Sequence, residues 1–307
     1  MQSKKILFFG NERLATGVTT KTPVIKSLLK AGYEIAAIII APLKDNPSRS
    51  KRQLEIVQVA QEHAIPLLEI DSLKNELDSL KQYNATIGIL VAYGKIVPQS
   101  IIDMLPKGII NLHPSLLPKH RGPTPVESVI LAGETLTGVS LMQLVAAMDA
   151  GPVYDQVNLE INGRMDKQQL ADQLGAIGAE RLIKLLPAIL SGQAIPKAQD
   201  DNTATYDHKI SQDNAKLDFT KPADLLVREV TAFYGWPRSR AIINNQPVVI
   251  TQAHALSNLS TSQPGKIWLQ DNNWGFETGA GVLIIDKLIP AGGKEMSGAD
   301  YLRGHTV

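Results

Sequence analysis

An amide and an imidazole two positions apart, Asn111 and His113, are the residues of this sequence best suited to chemistry. They lie in the apolar segment GIINLHP, which predicts a buried strand that ends at Pro114, because proline has no N–H to donate to a strand ladder. Side chains two positions apart in a strand point to the same face. Since ligands of open α/β sheets bind outside the carboxyl ends of the strands, both side chains are expected to face one ligand site.

A carboxylate further along the chain, Asp149 in AAMDAGPVY, is the third candidate. Each of the three residues also has a purely structural interpretation. Asn111 could cap the end of its strand, His113 could be a half-buried histidine with its hydrogen bonds made, and Asp149 could begin the turn that Gly151 and Pro152 indicate. Only the combination of the three favours a catalytic site over these separate roles.

The elements that must position these residues alternate between apolar strands and amphipathic helices. KKILFFG, YEIAAIII and ATIGILVAYG are short apolar runs, and TPVIKSLLKAGY and SKRQLEIVQVAQEHA between them have helical periodicity. Unbroken apolar strands that alternate with helices predict a mostly parallel sheet covered on both faces. The fold expected for residues 1–190 is therefore an α/β, Rossmann-like catalytic domain.

A polar segment, SGQAIPKAQDDNTATY, separates this region from the rest of the chain. It contains Gly192 and Pro196 and has neither helical nor strand periodicity, so residues 191–206 are expected to form a linker. Beyond it, one predicted helix is followed by short strands with Asn, Gly and Pro turns. Residues 207–307 are expected to form a small β-barrel-like (OB-like) domain.

Composition excludes several classes of protein. The 307 residues include no cysteine, which rules out disulfides, thiolate nucleophiles and Cys-based metal sites. Gly10 and Gly17 are too far apart for the G-x-G-x-x-G dinucleotide fingerprint. The net charge of +1 predicts no strongly basic face. The apolar runs are too short to span a bilayer and the N-terminus lacks a signal-peptide core, so a soluble cytoplasmic protein with no membrane partner is expected.

Four motifs resemble the folate-dependent formyltransferase family. They are the Asn-x-His of INLHPS, the SLLP that follows it, the aspartate of TGVSLMQLVAAMDAGPV, and the preceding VAYGKIVP. The resemblance continues beyond the linker, where FYGWPRSRA and VLIIDKLIPAGGKEMSGADYLRG are similar to the C-terminal part of the family members that formylate methionyl initiator tRNA. Nearly the whole chain is covered.

The resemblance implies transfer of the formyl group of 10-formyltetrahydrofolate to an amine. Attack of the amine on the formyl carbon forms a tetrahedral oxyanion, and donors aimed at such developing charge are usually the largest catalytic term. The Asn111 amide and a protonated His113 are the expected donors. Asp149 is expected to raise the pKa of His113, to orient its ring and to accept the proton of the amine, while His113 protonates the departing N10 of the folate. No metal is required.

The similarity of the second domain implies the acceptor, which is the α-amino group of methionine on initiator tRNA, formylated before translation begins. Three alternatives stay open at this point. The acceptor could be a small amine such as glycinamide ribonucleotide or an amino sugar, the formyl group could pass to water, or the chain could bind tRNA or folate without turnover. A monomer is expected.

The resemblance also implies a folate pocket formed by the SLLP loop and the end of the preceding strand. The alternative is an ordinary loop whose leucines fill the core. The residues expected to bind the folate are Ser115, Leu116, Leu117, Pro118, Ile89, Val91, Tyr93 and Gly94. His120 and Arg121, in the same loop, either help to hold the substrate or are ordinary polar loop residues.

A basic loop, APLKDNPSRSKR, lies where family members carry an insertion that meets the acceptor arm of initiator tRNA. It is shorter and poorer in glycine than that insertion. Arginine and lysine on a loop suit phosphate contact, and the alternative is a solvated surface loop. The residues expected to contact the tRNA are Lys44, Arg49, Lys51 and Arg52.

Overall fold

The computed structural model describes residues 5–42, 53–161, 165–259, 263–270 and 273–305. The chain divides into two compact units, one made of residues 1–126 and 135–208 and the other of residues 127–134 and 209–307. The segment expected to be a linker, residues 191–206, therefore groups with the first unit. The two units are described separately below.

The first unit contains a seven-stranded sheet in the order β3-β2-β1-β4-β5-β6-β7. The pairs from β3 to β5 are parallel, whereas β6 runs antiparallel to β5 and β7 antiparallel to β6. The strands are β1 (Lys5–Gly10), β2 (Glu34–Ile40), β3 (Leu67–Glu69), β4 (Ile87–Val91), β5 (Ile109–His113), β6 (Leu136–Gln143) and β7 (Val153–Glu160). The expected mostly parallel α/β fold is confirmed.

Helices connect these strands, and the longest of them follows β7. The helices are α1 (Pro23–Lys30), α2 (Glu55–Glu62), α3 (Leu77–Lys81), α4 (Gln99–Asp103), α5 (Pro125–Ala132), most of which groups with the second unit, and α6 (Lys167–Ser191). Helix α6 begins with a capping box, in which the Asp166 carboxylate accepts from the Gln169 N–H and the Gln169 side chain accepts from the Asp166 N–H. It ends at Gly192, whose φ of 79° gives the left-handed cap that favours glycine.

The order of the strands reverses at β1 and β4, and this is the point where open α/β sheets bind ligands. The two strands approach closely there, because a Cβ added to Gly10 would lie 1.9 Å from the Val91 carbonyl oxygen. Only glycine fits at that position. Strand β5 is the next neighbour of β4, so its carboxyl end borders the same crevice.

A buried carboxylate caps α1. The residue before the helix, Thr22, makes no side-chain cap, and the Glu12 carboxylate accepts from the N–H groups of Val24 and Ile25 instead, both at 2.8 Å. Glu12 is only 3 % exposed. Burial raises the pKa of Glu12 to about 7, and the two backbone hydrogen bonds oppose that rise.

The Glu12 carboxyl group is expected to make the protein less stable as the pH rises. The native state takes up a proton on Glu12 below about pH 7, whereas the unfolded chain does so only near its ordinary pKa of 4.5. Between these values the native state binds more protons, so the free energy of unfolding falls with increasing pH. From pH 5 to pH 8 this contribution amounts to about 2 to 3 kcal/mol.

Urea unfolding at the two pH values, for the wild type and Glu12→Gln, measures this contribution. The wild type is expected to lose about 2 to 3 kcal/mol more than the variant between pH 5 and pH 8. An equal loss in both proteins would show that the buried carboxyl group titrates normally.

The second unit contains a six-stranded antiparallel sheet in the order β10-β11-β12-β9-β8, with β13 paired to β12. Its elements are α7 (Ala223–Ala232), β8 (Ser239–Ile243), β9 (Gln246–Leu256), β10 (Ile267–Gln270), β11 (Asn273–Glu277), β12 (Val282–Ile289), β13 (Met296–Ser297) and α8 (Gly298–Gly304). The predicted β-barrel-like second domain is confirmed in this curled antiparallel sheet.

The core of the second unit lies between this sheet and its two helices. Trp274 is the largest fully buried side chain, and its indole N–H donates to the Gly298 carbonyl oxygen at 2.7 Å. Trp274 also stacks on Tyr301 of α8, with ring centroids 5.6 Å apart. Within the described part of the chain, no helix is long and apolar enough to cross a membrane.

Candidate active site

Strand β5 carries Asn111 and His113 on the same face of the sheet. Leu90 of β4 is the register partner of Asn111, and His113 is the register partner of Ser140 on β6. Both side chains are buried, with 6 % of Asn111 and 5 % of His113 exposed. The strand therefore presents an amide and an imidazole at its carboxyl end, removed from bulk water.

Asp149 meets these two side chains from the segment between β6 and β7. Its Oδ1 lies 3.4 Å from the Asn111 Nδ2 and 3.8 Å from the His113 Nδ1. Its Oδ2 accepts from the backbone N–H of Gly122 at 2.8 Å. The structure thus brings together the three residues that the sequence analysis singled out, although Asn111 and Asp149 are 38 positions apart.

The imidazole of His113 has a defined orientation. Its Nε2 lies 2.9 Å from the His120 carbonyl oxygen, which can only accept a hydrogen bond, so Nε2 carries a proton. In the neutral ring Nδ1 is then an acceptor, and protonation of the ring adds an N–H that points toward Asp149. His113 can therefore exchange a proton at Nδ1 while Nε2 keeps the ring in place.

Hydrogen bonds to side chains of β6 and β7 hold the loop after β5 in place. The hydroxyl of Ser140 donates to the Ser115 carbonyl oxygen at 2.7 Å and accepts from the Leu117 N–H at 3.0 Å. The Gln156 amide donates to the Leu117 carbonyl oxygen at 2.8 Å. Ser115 and Leu117 are buried, and Leu116 and Pro118 are half-buried. The SLLP loop therefore combines a fixed main chain with two partly accessible apolar side chains.

At the end of β4, the side chains of Ile89 and Val91 lie on the face of the sheet opposite to Asn111. Because Leu90 and Asn111 are register partners on one face, the alternating side chains of Ile89 and Val91 point to the opposite face. Both are at most 1 % exposed and are core residues. Strand alternation thus turns both side chains away from Asn111, and their contribution to a folate pocket stays a prediction from the sequence.

Tyr93 is also buried, at 4 % exposure, and packs edge-to-face on Phe9 with ring centroids 5.9 Å apart. Among the residues that the structure describes, its hydroxyl has no hydrogen-bond partner. Burial, with a smaller contribution from Asp71, raises the pKa of Tyr93 to about 12, so the hydroxyl stays protonated and can donate. Gly94, next to it, is exposed and has a φ of 71°.

Three non-glycine residues near the site have left-handed backbone conformations. They are Ala92, His120 and Asp149, with φ values of 53°, 58° and 48°. Such conformations cost about 1 to 2 kcal/mol each for residues with a Cβ and persist only where the surroundings enforce them. The contacts around His120 and Asp149 must therefore hold these two turns in place.

Sequence reasoning missed the residues that brace the loop after SLLP. The guanidinium of Arg121 is 1 % exposed and donates to the side chains of Gln199, Asp201 and Tyr206. The His120 ring contacts Asp207 at 3.0 Å. Gln199, Asp201 and Tyr206 come from the segment expected to be a linker, and Asp207 is the first residue after it. Their only sequence signal is a run of polar residues, which does not distinguish a linker from an ordered segment.

The four basic residues expected to contact tRNA lie in residues 43–52, outside the described part of the chain. Their role stays a prediction from the sequence.

Comparisons with known proteins identify the family to which the chain belongs. A family model described as formyl transferase matches residues 4–186, and one described as formyl transferase, C-terminal domain, matches residues 209–306. The chain is 32 % identical to methionyl-tRNA formyltransferase of Chloroflexus aurantiacus, over 98 % of this chain and 96 % of that protein. It is 33 % identical to the methionyl-tRNA formyltransferase of Hahella chejuensis, over 98 % of this chain and 94 % of that protein.

Among solved structures, the N-formyltransferase from Helicobacter canadensis in complex with folinic acid and dTDP-3-aminofucose has the same fold. It superimposes with a TM-score of 0.66 at 16 % identity, over 93 % of this chain and 99 % of that protein. The two family models together span both units of the structure. The chain therefore belongs to the formyl transferase family and is an enzyme of its methionyl-tRNA formyltransferase group.

Proposed function

We propose that this enzyme transfers the formyl group of 10-formyltetrahydrofolate to the α-amino group of methionyl initiator tRNA. The observation that carries the chemistry is the convergence of Asn111, His113 and Asp149 at the carboxyl end of β5. The reduced folate as donor is supported by the structural neighbour from Helicobacter canadensis, which holds folinic acid. The acceptor is supported by the names of the full-length relatives.

In the first half of the reaction, the amine nitrogen bonds to the formyl carbon and the formyl oxygen becomes an oxyanion. The Asn111 amide has two N–H groups, so it can donate to Asp149 with one and to the oxyanion with the other. His113 protonated at Nδ1 supplies a second donor from the same face. Donors of this kind are worth about 3 to 4 kcal/mol each in a buried site.

In the second half, the bond between the carbon and N10 of the folate breaks. The proton that the attacking amine loses passes to the carboxylate of Asp149, which the Gly122 N–H holds in place. Nδ1 of His113 delivers a proton to N10, and tetrahydrofolate leaves. The oxyanion collapses to the carbonyl group of the formamide product, and transfer of the proton from Asp149 to Nδ1 of His113 restores the enzyme. Protons and bonds then balance without a covalent enzyme intermediate.

The folate is proposed to lie against the SLLP loop. Leu116 and Pro118 are the half-buried members of this loop and offer apolar contact for a pterin ring. The hydrogen bonds that the main chain of Ser115 and Leu117 makes to Ser140 hold the Leu116 and Pro118 side chains in position. At the end of β4, a contribution is proposed from the main chain around Gly94 and from the Tyr93 hydroxyl, which has no hydrogen-bond partner among the described residues.

A small amine is the alternative acceptor, because the neighbour from Helicobacter canadensis holds a nucleotide-linked amino sugar. The names of the full-length relatives, which are methionyl-tRNA formyltransferases, favour the tRNA substrate in this chain. Water as acceptor and binding without turnover are the remaining possibilities that an assay must separate.

Incubation of the purified enzyme with 10-formyltetrahydrofolate and methionyl initiator tRNA is expected to yield formylmethionyl-tRNA. Elongator methionyl-tRNA, glycinamide ribonucleotide and a nucleotide-linked amino sugar serve as competing acceptors in parallel reactions. The formylated product and tetrahydrofolate are both quantified, so that transfer to water appears as folate without product. Formylation of a small amine in preference to the initiator tRNA would overturn the proposed acceptor.

A further inference from the structure

The side chain of Gln199 lies at the centre of the contacts that hold Asp149 in place. Its Nε2 donates to the main-chain carbonyl oxygens of Asp149 and Gly151, at 2.8 and 2.7 Å. Its Oε1 accepts from the Nε and Nη2 of Arg121, at 3.1 and 2.9 Å. An amide has two N–H groups and two lone pairs on its oxygen, and all four are used here. The orientation of this side chain is therefore fixed by its partners.

The Gln199 contacts connect the turn that carries Asp149 with the loop that carries Arg121. One end of the Gln199 amide holds the turn that carries Asp149, whose φ of 48° requires support from outside the turn. The other end holds Arg121, which stands between His120 and Gly122. The His120 carbonyl oxygen orients the His113 ring, and the Gly122 N–H holds the Asp149 carboxylate.

The segment that carries Gln199 is itself well anchored in the first unit. Lys197 and Val153 exchange two backbone hydrogen bonds, at 2.7 and 2.8 Å. Further along, the Arg121 N–H donates to the Thr205 carbonyl oxygen, and the Asp207 N–H donates to the Arg121 carbonyl oxygen. These hydrogen bonds hold the main chain around Gln199 in place, and the Gln199 side chain in turn holds the turn that carries Asp149.

We infer that Gln199 is a positioning residue for formyl transfer, which sets the Asp149 carboxylate against Nδ1 of His113. This inference rests on the role proposed above for Asp149. A displacement of a catalytic group by about 1 Å can slow a reaction by about a hundredfold, so the effect of losing the Gln199 contacts falls on the chemical step. Folate binding, which uses the loop after β5, is not expected to change.

The Gln199→Glu variant tests this inference, because glutamate keeps the acceptor for Arg121 but loses both N–H donors to the turn. We expect kcat to fall about ten- to a hundredfold, while KM for 10-formyltetrahydrofolate stays within about twofold. Rates are normalised to the folate-binding stoichiometry, which removes any loss of folded protein. The matched control is Gln193→Glu, an exposed residue nearby, which is expected to keep both constants.

A double-mutant cycle with Asp149→Asn separates positioning from a general structural role. If Gln199 acts through Asp149, the substitution Gln199→Glu causes little further loss of rate in the Asp149→Asn background. If the two substitutions instead lower the rate by independent factors that multiply, the inference is wrong. A normal kcat for Gln199→Glu would also contradict it. Gln199→Met, which places no charge near the carbonyl groups, repeats the test if the glutamate variant folds poorly. A normal rate for Asp149→Asn would instead contradict the proposed role of Asp149 itself.

Discussion

Replacing Asp149 by asparagine is expected to slow formyl transfer in a single turnover by about a hundred- to ten-thousandfold. Asparagine keeps an acceptor oxygen for the Gly122 N–H and tolerates the left-handed backbone of this position, so the geometry of the turn is retained. What it loses is the basic carboxylate that we propose accepts the proton of the amine. Rapid-quench measurement with enzyme in excess over methionyl-tRNA gives the rate, and titration with reduced folate gives the affinity, which should change little.

The control for this substitution is Asp103→Asn on α4. Asp103 is exposed, and its carboxylate accepts only from the Gln99 side chain among the described hydrogen bonds, so no change in rate is expected. An Asp149→Asn enzyme with a near-normal single-turnover rate would assign the proton transfer to another group. A large loss of folate affinity would show that Asp149 acts in binding instead.

Substitution of His113 is expected to lower the single-turnover rate by about a hundred- to a thousandfold or more, and two variants distinguish its roles. His113→Asn places an amide close to the position of Nδ1, which can donate a hydrogen bond to the oxyanion but cannot exchange a proton. His113→Gln places its amide close to Nε2 and so keeps only the contact to the His120 carbonyl oxygen. If oxyanion stabilisation dominates, the asparagine variant retains more activity than the glutamine variant.

Equal losses in the two variants would indicate that proton delivery to N10 is the main contribution of His113. The control is His63→Ala at the exposed end of α2, which should leave the rate unchanged. Retention of full activity in either His113 variant would contradict the mechanism, because neither side chain can exchange protons as imidazole does.

The sequence predicted the framework of the first unit because the framework depends on local patterns. The apolar run in KILFFG predicts a strand buried on both faces, and the apolar residues that flank Asn111 and His113 in IINLH do the same; the structure has these segments as β1 and β5. The shared face of Asn111 and His113 follows from the period of two in a strand. The presence of a second, β-rich domain follows in the same way from short strands separated by turn residues.

Residues 191–206, which the sequence predicts to be a linker, are held by contacts that local sequence patterns do not reveal. The segment has no periodic apolar pattern, because it is held by the hydrogen bonds of Gln199 and Thr205, and by that of Asp207 directly after it, and not by an apolar face. A flexible linker has the same composition. The difference lies in partners such as Arg121, which stands 78 positions from Gln199 in the chain.

The sequence by itself therefore determined the α/β fold, the strand that carries Asn111 and His113, and the chemical types of the groups available for formyl transfer. Only the tertiary structure decided which nitrogen of His113 faces Asp149, that Ile89 and Val91 point away, and that Gln199 braces the site. The physical reason is that strand periodicity is a property of neighbouring residues. The placement of Asp149 depends instead on strand register, on a left-handed turn and on hydrogen bonds between residues far apart in the chain.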